Sequence, residues 1–310
     1  MTSSPSTDET GAATGMEVYE DLRRRAQAAI HRGHFEAALQ LYDSAWEVAK
    51  SGDDLVLADR AFVNRSSVHI SLYGGAEVLS SLQEILVRNL DPVNCRLAAY
   101  NIARIYEVRK ETKKGLFYAR IAGTWTDSIE SPDPDWVASS HNQVGNFLVA
   151  ESRFNEAIAA YEQALAAAPD APERRRALVW DNLGYCLLVK GAYAQGFELI
   201  YRALRVLRRQ GAEHELMLAH LDLAFGHLEV GRYPIAQQHA AHALALAERY
   251  SNADVLKNAL YLSGEAANVS GDIAAAREHF ERLQRYFPNT PFVTDFLLAI
   301  DVRKMINLRA

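Results

Sequence analysis

The 310-residue sequence predicts an all-α fold, about seven helix pairs stacked in series with one more helix closing the last pair. Proline and glycine divide the chain into paired segments of helical period with few β-branched runs, which leaves little material for strands. Small residues recur in register at Ala26, Ser66, Ala103, Gly145, Gly184, Ala224 and Gly264, with spacings of 40, 37, 42, 39, 40 and 40. Twelve residues after each come Ala38, Val78, Gly115, Ala157, Gly196, Ala236 and Ala276; seven further on are Ala45, Ile85, Ala122, Ala164, Ala203, Ala243 and Leu283. One such match carries no weight, but seven in register have a physical cause. Where antiparallel helices cross, a side chain no larger than Ala or Ser lets the backbones approach while bulky neighbours fill the grooves beside it.

Taken in order, residues 1–15 (M-T-S-S-P-S-T-D-E-T-G-A-A-T-G) read as a flexible tail, lacking both the basic and the apolar region of a signal peptide. A solenoid over 16–290 follows, with units at about 19–53, 59–92, 96–130, 136–170, 177–211, 215–250 and 255–288. The turns within the units are H-R-G-H-F, L-Y-G-G-A, R-K-E-T-K, A-E-S-R-F, V-K-G-A-Y, E-V-G-R-Y and V-S-G-D-I, the third lacking the glycine. Residues 291–310 are expected to form a capping helix, its amphipathic part being P-F-V-T-D-F-L-L-A-I-D-V-R-K-M-I from Pro291 to Ile306.

The units resemble tetratricopeptide repeats, whose pattern is W-x-x-L-G-x-x-Y, then A-x-x-x-F, then A and P. The fourth carries His141, Val144, Gly145, Leu148, Phe154, Ala157, Tyr161, Ala164 and Pro169. The fifth carries Trp180, Leu183, Gly184, Leu187, Tyr193, Gly196, Ile200 and Ala203; the seventh adds Gly264, Ala276, Phe280, Leu283 and Pro288. Arg25 and Arg65 depart from the pattern, standing where it has Leu. The resemblance implies a right-handed α-solenoid, and the period near 40 is similar to that of bacterial peptide sensors and kinesin light chains.

A net charge of −6, with only short Arg clusters, speaks against a nucleic-acid partner. No apolar run is long enough to cross a membrane. Cys95 and Cys186 lie far apart without C-x-x-C spacing, which fits a reduced compartment, the cytoplasm by default. Lys190-Gly191 is followed by Ala192, so no phosphate loop forms, and Leu218 stands where H-E-x-x-H needs its second His. His220, His227, His239 and His242 share helical spacings without a carboxylate or Cys at ligand distance; His227 and His69 sit at packing positions. No catalytic residue, metal site or cofactor is therefore assigned.

The resemblance implies that one stripe of each first helix lines a concave groove that binds partners. That stripe carries Asn64, Tyr100, Asn101, Arg104, Asn142, Gln143, Asn146, Asp181, Asn182, Tyr185, Leu221, Asp222, Phe225 and Tyr261. An asparagine offers both donors and an acceptor, so a ladder of them suits the backbone of an extended peptide; the same ladder also fits an ordinary polar helix face. Tyr185, Leu188, Leu221, Phe225, Leu228 and Tyr261 form an apolar wall, either a pocket for an anchor side chain or a surface covered by the chain itself. The expected function is a non-enzymatic adaptor holding a protein or peptide segment in the groove, with a homo-oligomer left open. The alternative is a peptide-responsive bacterial sensor; because the repeats begin near Met16, the output domain such sensors carry ahead of them is expected to be absent.

Overall fold

The computed structural model describes residues 15–309. The tail expected at residues 1–15 lies outside them except for Gly15, the first residue of the first helix. Among the described residues there are fifteen α-helices and no strand, grouped into two compact units that divide between Pro132 and Asp133.

The first unit pairs α1 (Gly15–His31) with α2 (Phe35–Lys50), α3 (Leu55–Tyr73) with α4 (Leu79–Arg88), and α5 (Pro92–Val108) with α6 (Thr112–Asp127). Start signals are local: the Asp54 carboxylate accepts the Leu57 N–H at 3.0 Å, and Asp91 caps α5 with Pro92 in its first turn. The second pair departs from the others because Gly74 and Gly75 both take φ 75 and lead into a 3-10 turn at Ala76–Val78, which shortens α4. In the third pair Lys110 takes the left-handed conformation (φ 57) at the turn that lacks glycine. Phe62, Ile70, Leu82, Ile85, Ile102 and Ile105 form the core between the second and third pairs.

The second unit pairs α7 (Pro134–Ala150) with α8 (Phe154–Ala167), α9 (Glu173–Val189) with α10 (Tyr193–Arg209), α11 (Glu213–Glu229) with α12 (Tyr233–Arg249), and α13 (Ala253–Val269) with α14 (Ile273–Gln284). Crossing helices touch at the small residues: a Cβ on Gly184 would stand 2.5 Å from Ile200 Cγ1 and 3.0 Å from the Gly196 carbonyl. Trp180, Leu183 and Cys186 are buried around it. Besides packing on its partner, each first helix touches the next first helix, α7 to α9, α9 to α11 and α11 to α13. These four helices therefore present their inner stripes to one common face.

The closing helix differs from expectation. It spans only Val293–Ala299 (α15), packed on α14, whereas the sequence pattern predicts helix through Ile306. From Ile300 (φ −129, ψ 125) the backbone is irregular, with a 3-10 turn at Arg303–Met305, an extended Ile306 (φ −102, ψ 127) and a turn at 308–309. The apolar side chains that become buried here are Leu297, Val302 and Leu308, spaced five and six apart instead of at helical intervals. The chain gives up helical hydrogen bonds at this point and takes its bonds from the inner face of the second unit.

Candidate functional site

On each first helix the inner stripe is three residues at relative positions 1, 2 and 5, which share one side of an α-helix. In the second unit these are Asn142, Gln143 and Asn146 on α7; Asp181, Asn182 and Tyr185 on α9; Leu221, Asp222 and Phe225 on α11; and Tyr261, Leu262 and Glu265 on α13. Across this face lies the segment 302–309 of the same chain.

Arg309 is the deepest polar group of the segment, its side chain 14% exposed. Its guanidinium donates to Asp181 at 3.1 Å, to Asp222 and to the side-chain oxygen of Asn182, and lies 4.8 Å over the ring of Tyr185. Asn307 donates to the Val149 carbonyl at 2.7 Å and to Ser152 Oγ at 3.1 Å. Its own oxygen accepts the Tyr185 hydroxyl at 3.2 Å and the Arg309 N–H at 3.0 Å. The Leu308 carbonyl accepts from Asn258 at 2.8 Å, and Leu308, itself buried, lines a small recess together with Phe225, Leu228, Tyr261, Leu262, Arg303 and Ile306. Arg303 reaches the buried Glu265 at 3.5 Å.

Electrostatics explains why the arginine is there. Asp222 is fully buried and Asp181 nearly so, and a carboxylate taken out of water costs several kcal/mol unless a cation and hydrogen bonds replace the water. Burial pushes the pKa of both acids upward while Arg309 pulls it down; for Asp222 the negative charge of Asp181 adds to the upward push. Burial also raises Tyr185, and Cys186 to about 12, so both stay neutral and the thiol is unreactive. Below this layer Asn182 donates to Asn142 and Asn146 at 3.3 and 3.2 Å, and Asn146 accepts the Tyr161 hydroxyl at 2.9 Å. The asparagines thus form a linked layer that aims the Asn182 oxygen at the guanidinium.

The sequence-predicted residues of the first unit are used otherwise. Asn101 donates to the Val63 carbonyl at 2.8 Å and is buried. Arg104 donates to the Ser67 carbonyl and hydroxyl at 3.2 and 3.0 Å and to Ser71 Oγ at 2.8 Å, tying α5 to α3. Asn64 donates to the Tyr19 hydroxyl at 3.4 Å, and Tyr100 lies under the Arg96 guanidinium at 4.9 Å. Sequence reasoning missed Asn258 and Ser152, and it raised cover by the chain itself without naming the segment 302–309. The available signal was charge: Asp181 and Asp222 occupy buried-facing stripes and need a cation, and I-N-L-R supplies one.

The histidines form a separate cluster among α10, α11 and α12. His220 and His239 share a hydrogen bond between their Nδ1 atoms at 2.9 Å, and the Tyr201 hydroxyl meets Nε2 of His227 at 2.8 Å and of His239 at 3.4 Å. Burial depresses His220 to about 3 and His227 and His239 to about 4, so all three are neutral at neutral pH. Among the described residues no group of three or more His, Cys, Asp or Glu stands in an arrangement able to hold a metal ion. No described helix is long and apolar enough to cross a membrane.

No protein-family model matches the sequence, and no curated protein matches it. Solved structures do match in fold. A Rap protein complexed with Competence and Sporulation Factor superposes with a TM-score of 0.69 at 14% identity, over 94% of this chain and 79% of that one. NprR in complex with its cognate peptide NprX gives 0.69 at 12% identity, over 90% and 81%. Aspartyl phosphate phosphatase F from Bacillus subtilis gives 0.57 at 12% identity, over 97% of both chains. The fold is that of tetratricopeptide-type helical repeat proteins.

Proposed function

We propose that the chain is a non-enzymatic peptide-binding scaffold whose site is the inner face of the second unit. The observation that carries this reading is the segment 302–309: a short, irregular stretch lies on that face, held through its backbone and through Asn307, Leu308 and Arg309. A face that accommodates this stretch has the depth and the polar and apolar contacts that a peptide ligand requires. The Rap and NprR structures, described in complex with a factor and a cognate peptide, lend support through their shared fold. The stretch touches α7, α9, α11 and α13 together, so exchanging it for another ligand alters what joins four helices. That favours, as a second reading, a sensor whose repeats adjust when peptide binds.

The test is a fluorescence-polarisation screen of the full chain against a library of capped peptides, repeated with Asn146→Ala and Asn182→Ala. Binding that falls about five- to tenfold or more in both variants is expected, as for loss of a hydrogen bond of about 1–1.5 kcal/mol. Peptides that bind both variants as well as the original chain would place the site elsewhere.

A further inference from the structure

The segment on the inner face leaves polar groups of that face unused. One oxygen each of Asp181, Asp222 and Glu265, and the hydroxyl of Tyr261, are buried without a hydrogen-bond partner, although all four residues are at least nine-tenths buried. Buried acceptors are normally paired, and several clustered around one cleft indicate that it is shaped for more donors than the segment delivers. The segment is also incompletely satisfied, since Arg309 Nε is buried and unpaired. Two nearly buried carboxylates facing one guanidinium make a recess that admits a cation and rejects a neutral or acidic side chain. Arginine fits better than lysine, because its planar fork reaches Asp181, Asp222 and Asn182 at once while its face lies over Tyr185.

We infer that the inner face of the second unit selects a peptide segment carrying arginine two residues after asparagine, with an aliphatic residue between them, and that residues 303–309 cover the face until that segment displaces them. This inference rests on the peptide-binding reading above. The spacing follows from the contacts. Asn307 clamps to the end of α7 through Val149 and Ser152, Leu308 is buried beside Phe225, Leu228 and Tyr261, with which it lines the recess, and Arg309 drops between α9 and α11. A partner that repeats this triplet and adds donors near Glu265 and Tyr261 makes every contact the segment makes and also pairs the orphaned oxygens of those two residues.

The probe is a fluorescein-labelled, capped heptapeptide R-K-M-I-N-L-R, the sequence of residues 303–309. It is titrated against the original chain and against Leu308→Asp, which sets a carboxylate in the apolar recess and releases the segment while leaving Asp181, Asp222 and Asn182 intact. Asn307→Ala serves as a second releasing variant in case the first does not fold. The heptapeptide is expected to bind the released variants about thirtyfold or more tighter than the original chain. Replacing its last arginine by glutamine is expected to abolish binding, and Asp181→Asn with Asp222→Asn to do the same on the protein side.

Equal binding of the arginine and glutamine peptides overturns the inference, as does equal binding by original and released chains. A released chain that captures library peptides lacking arginine refutes the selectivity but leaves the peptide-binding reading standing. A released chain that captures none refutes that reading itself. A concentration-dependent dimer that disappears in Arg309→Ala assigns the face to a second copy of the chain and overturns the role of an outside partner.

Discussion

The two units carry the same stripe on their first helices and put it to different use. In the first, Asn101 and Arg104 reach back to the preceding first helix and bond its backbone and serines, so the stripe is consumed in joining α5 to α3. In the second, Asp181, Asn182 and Asp222 are turned toward a segment more than eighty residues further along the chain. The difference lies in side-chain length and charge. A long arginine on the stripe can find acceptors on its neighbour, whereas a short buried carboxylate needs donors and takes them from a cation elsewhere in the chain. Repeat position therefore says where a groove is, and residue chemistry says whether it is open to a ligand.

The largest expected separation between the units comes from the buried charges. Burial outweighs the pull of Arg309 and holds both covered carboxyls above the ordinary carboxylate value, so uncovering them to water releases protons. Covering the face thus takes up protons, is favoured as pH falls, and weakens as pH rises through the covered-state values. The other titratable groups that act on the pair, Tyr161, Tyr185 and Cys186, are all raised by burial and stay neutral throughout. A buried pair of this kind is worth about 3–5 kcal/mol when one partner is removed, so Arg309→Ala should release residues 303–309 to trypsin while α3 and α5 keep their hydrogen-exchange protection. His220, His227 and His239 impose a separate limit. Their folded values lie below the unfolded 6.5, so global stability declines as pH falls below 6.5 toward about 4. Far-UV circular dichroism separates the two events. Release only together with global unfolding would break the contrast between units.

Next in size is a change at a feature the units share. Gly184→Val drives methyl groups into Ile200 and the Gly196 carbonyl, and overpacking of that kind costs about 1–3 kcal/mol. Ala103→Val at the fully buried equivalent of the first unit should cost a comparable amount. Urea melts that show similar losses for both would establish that the units differ in their stripe and not in their packing; a neutral Ala103→Val would locate the difference in the packing as well.

The fold was legible because its cause is periodic. Seven small residues in register mark seven helix crossings, and each such position that begins with glycine in the second unit meets a large side chain of the partner helix. The stripe was legible for the same reason. What covered it was not, because Leu297, Val302 and Leu308 look like part of a helical pattern until their irregular spacing is measured against the face they bury on. The pairing of Arg309 with Asp222 joins residues with no periodic relation, and it emerges only when the buried charges are balanced.

The smallest expected effect tests the comparison most directly, since it uses one residue type at one repeat position. Asn101 and Asn182 occupy equivalent places on α5 and α9. Asn101→Ala removes a buried donor from the Val63 carbonyl, so it should lower stability by about 1 kcal/mol and leave peptide affinity untouched. Asn182→Ala should show the reverse emphasis, because Asn182 is half-buried and its oxygen faces the guanidinium, so binding suffers more than stability. Denaturant melts and polarisation titrations on the two variants yield a two-by-two comparison. Equal losses of stability and equal effects on affinity would mean that the stripe is one continuous structural device; opposite profiles would mean that the repeat has been divided into a joint and a receptor.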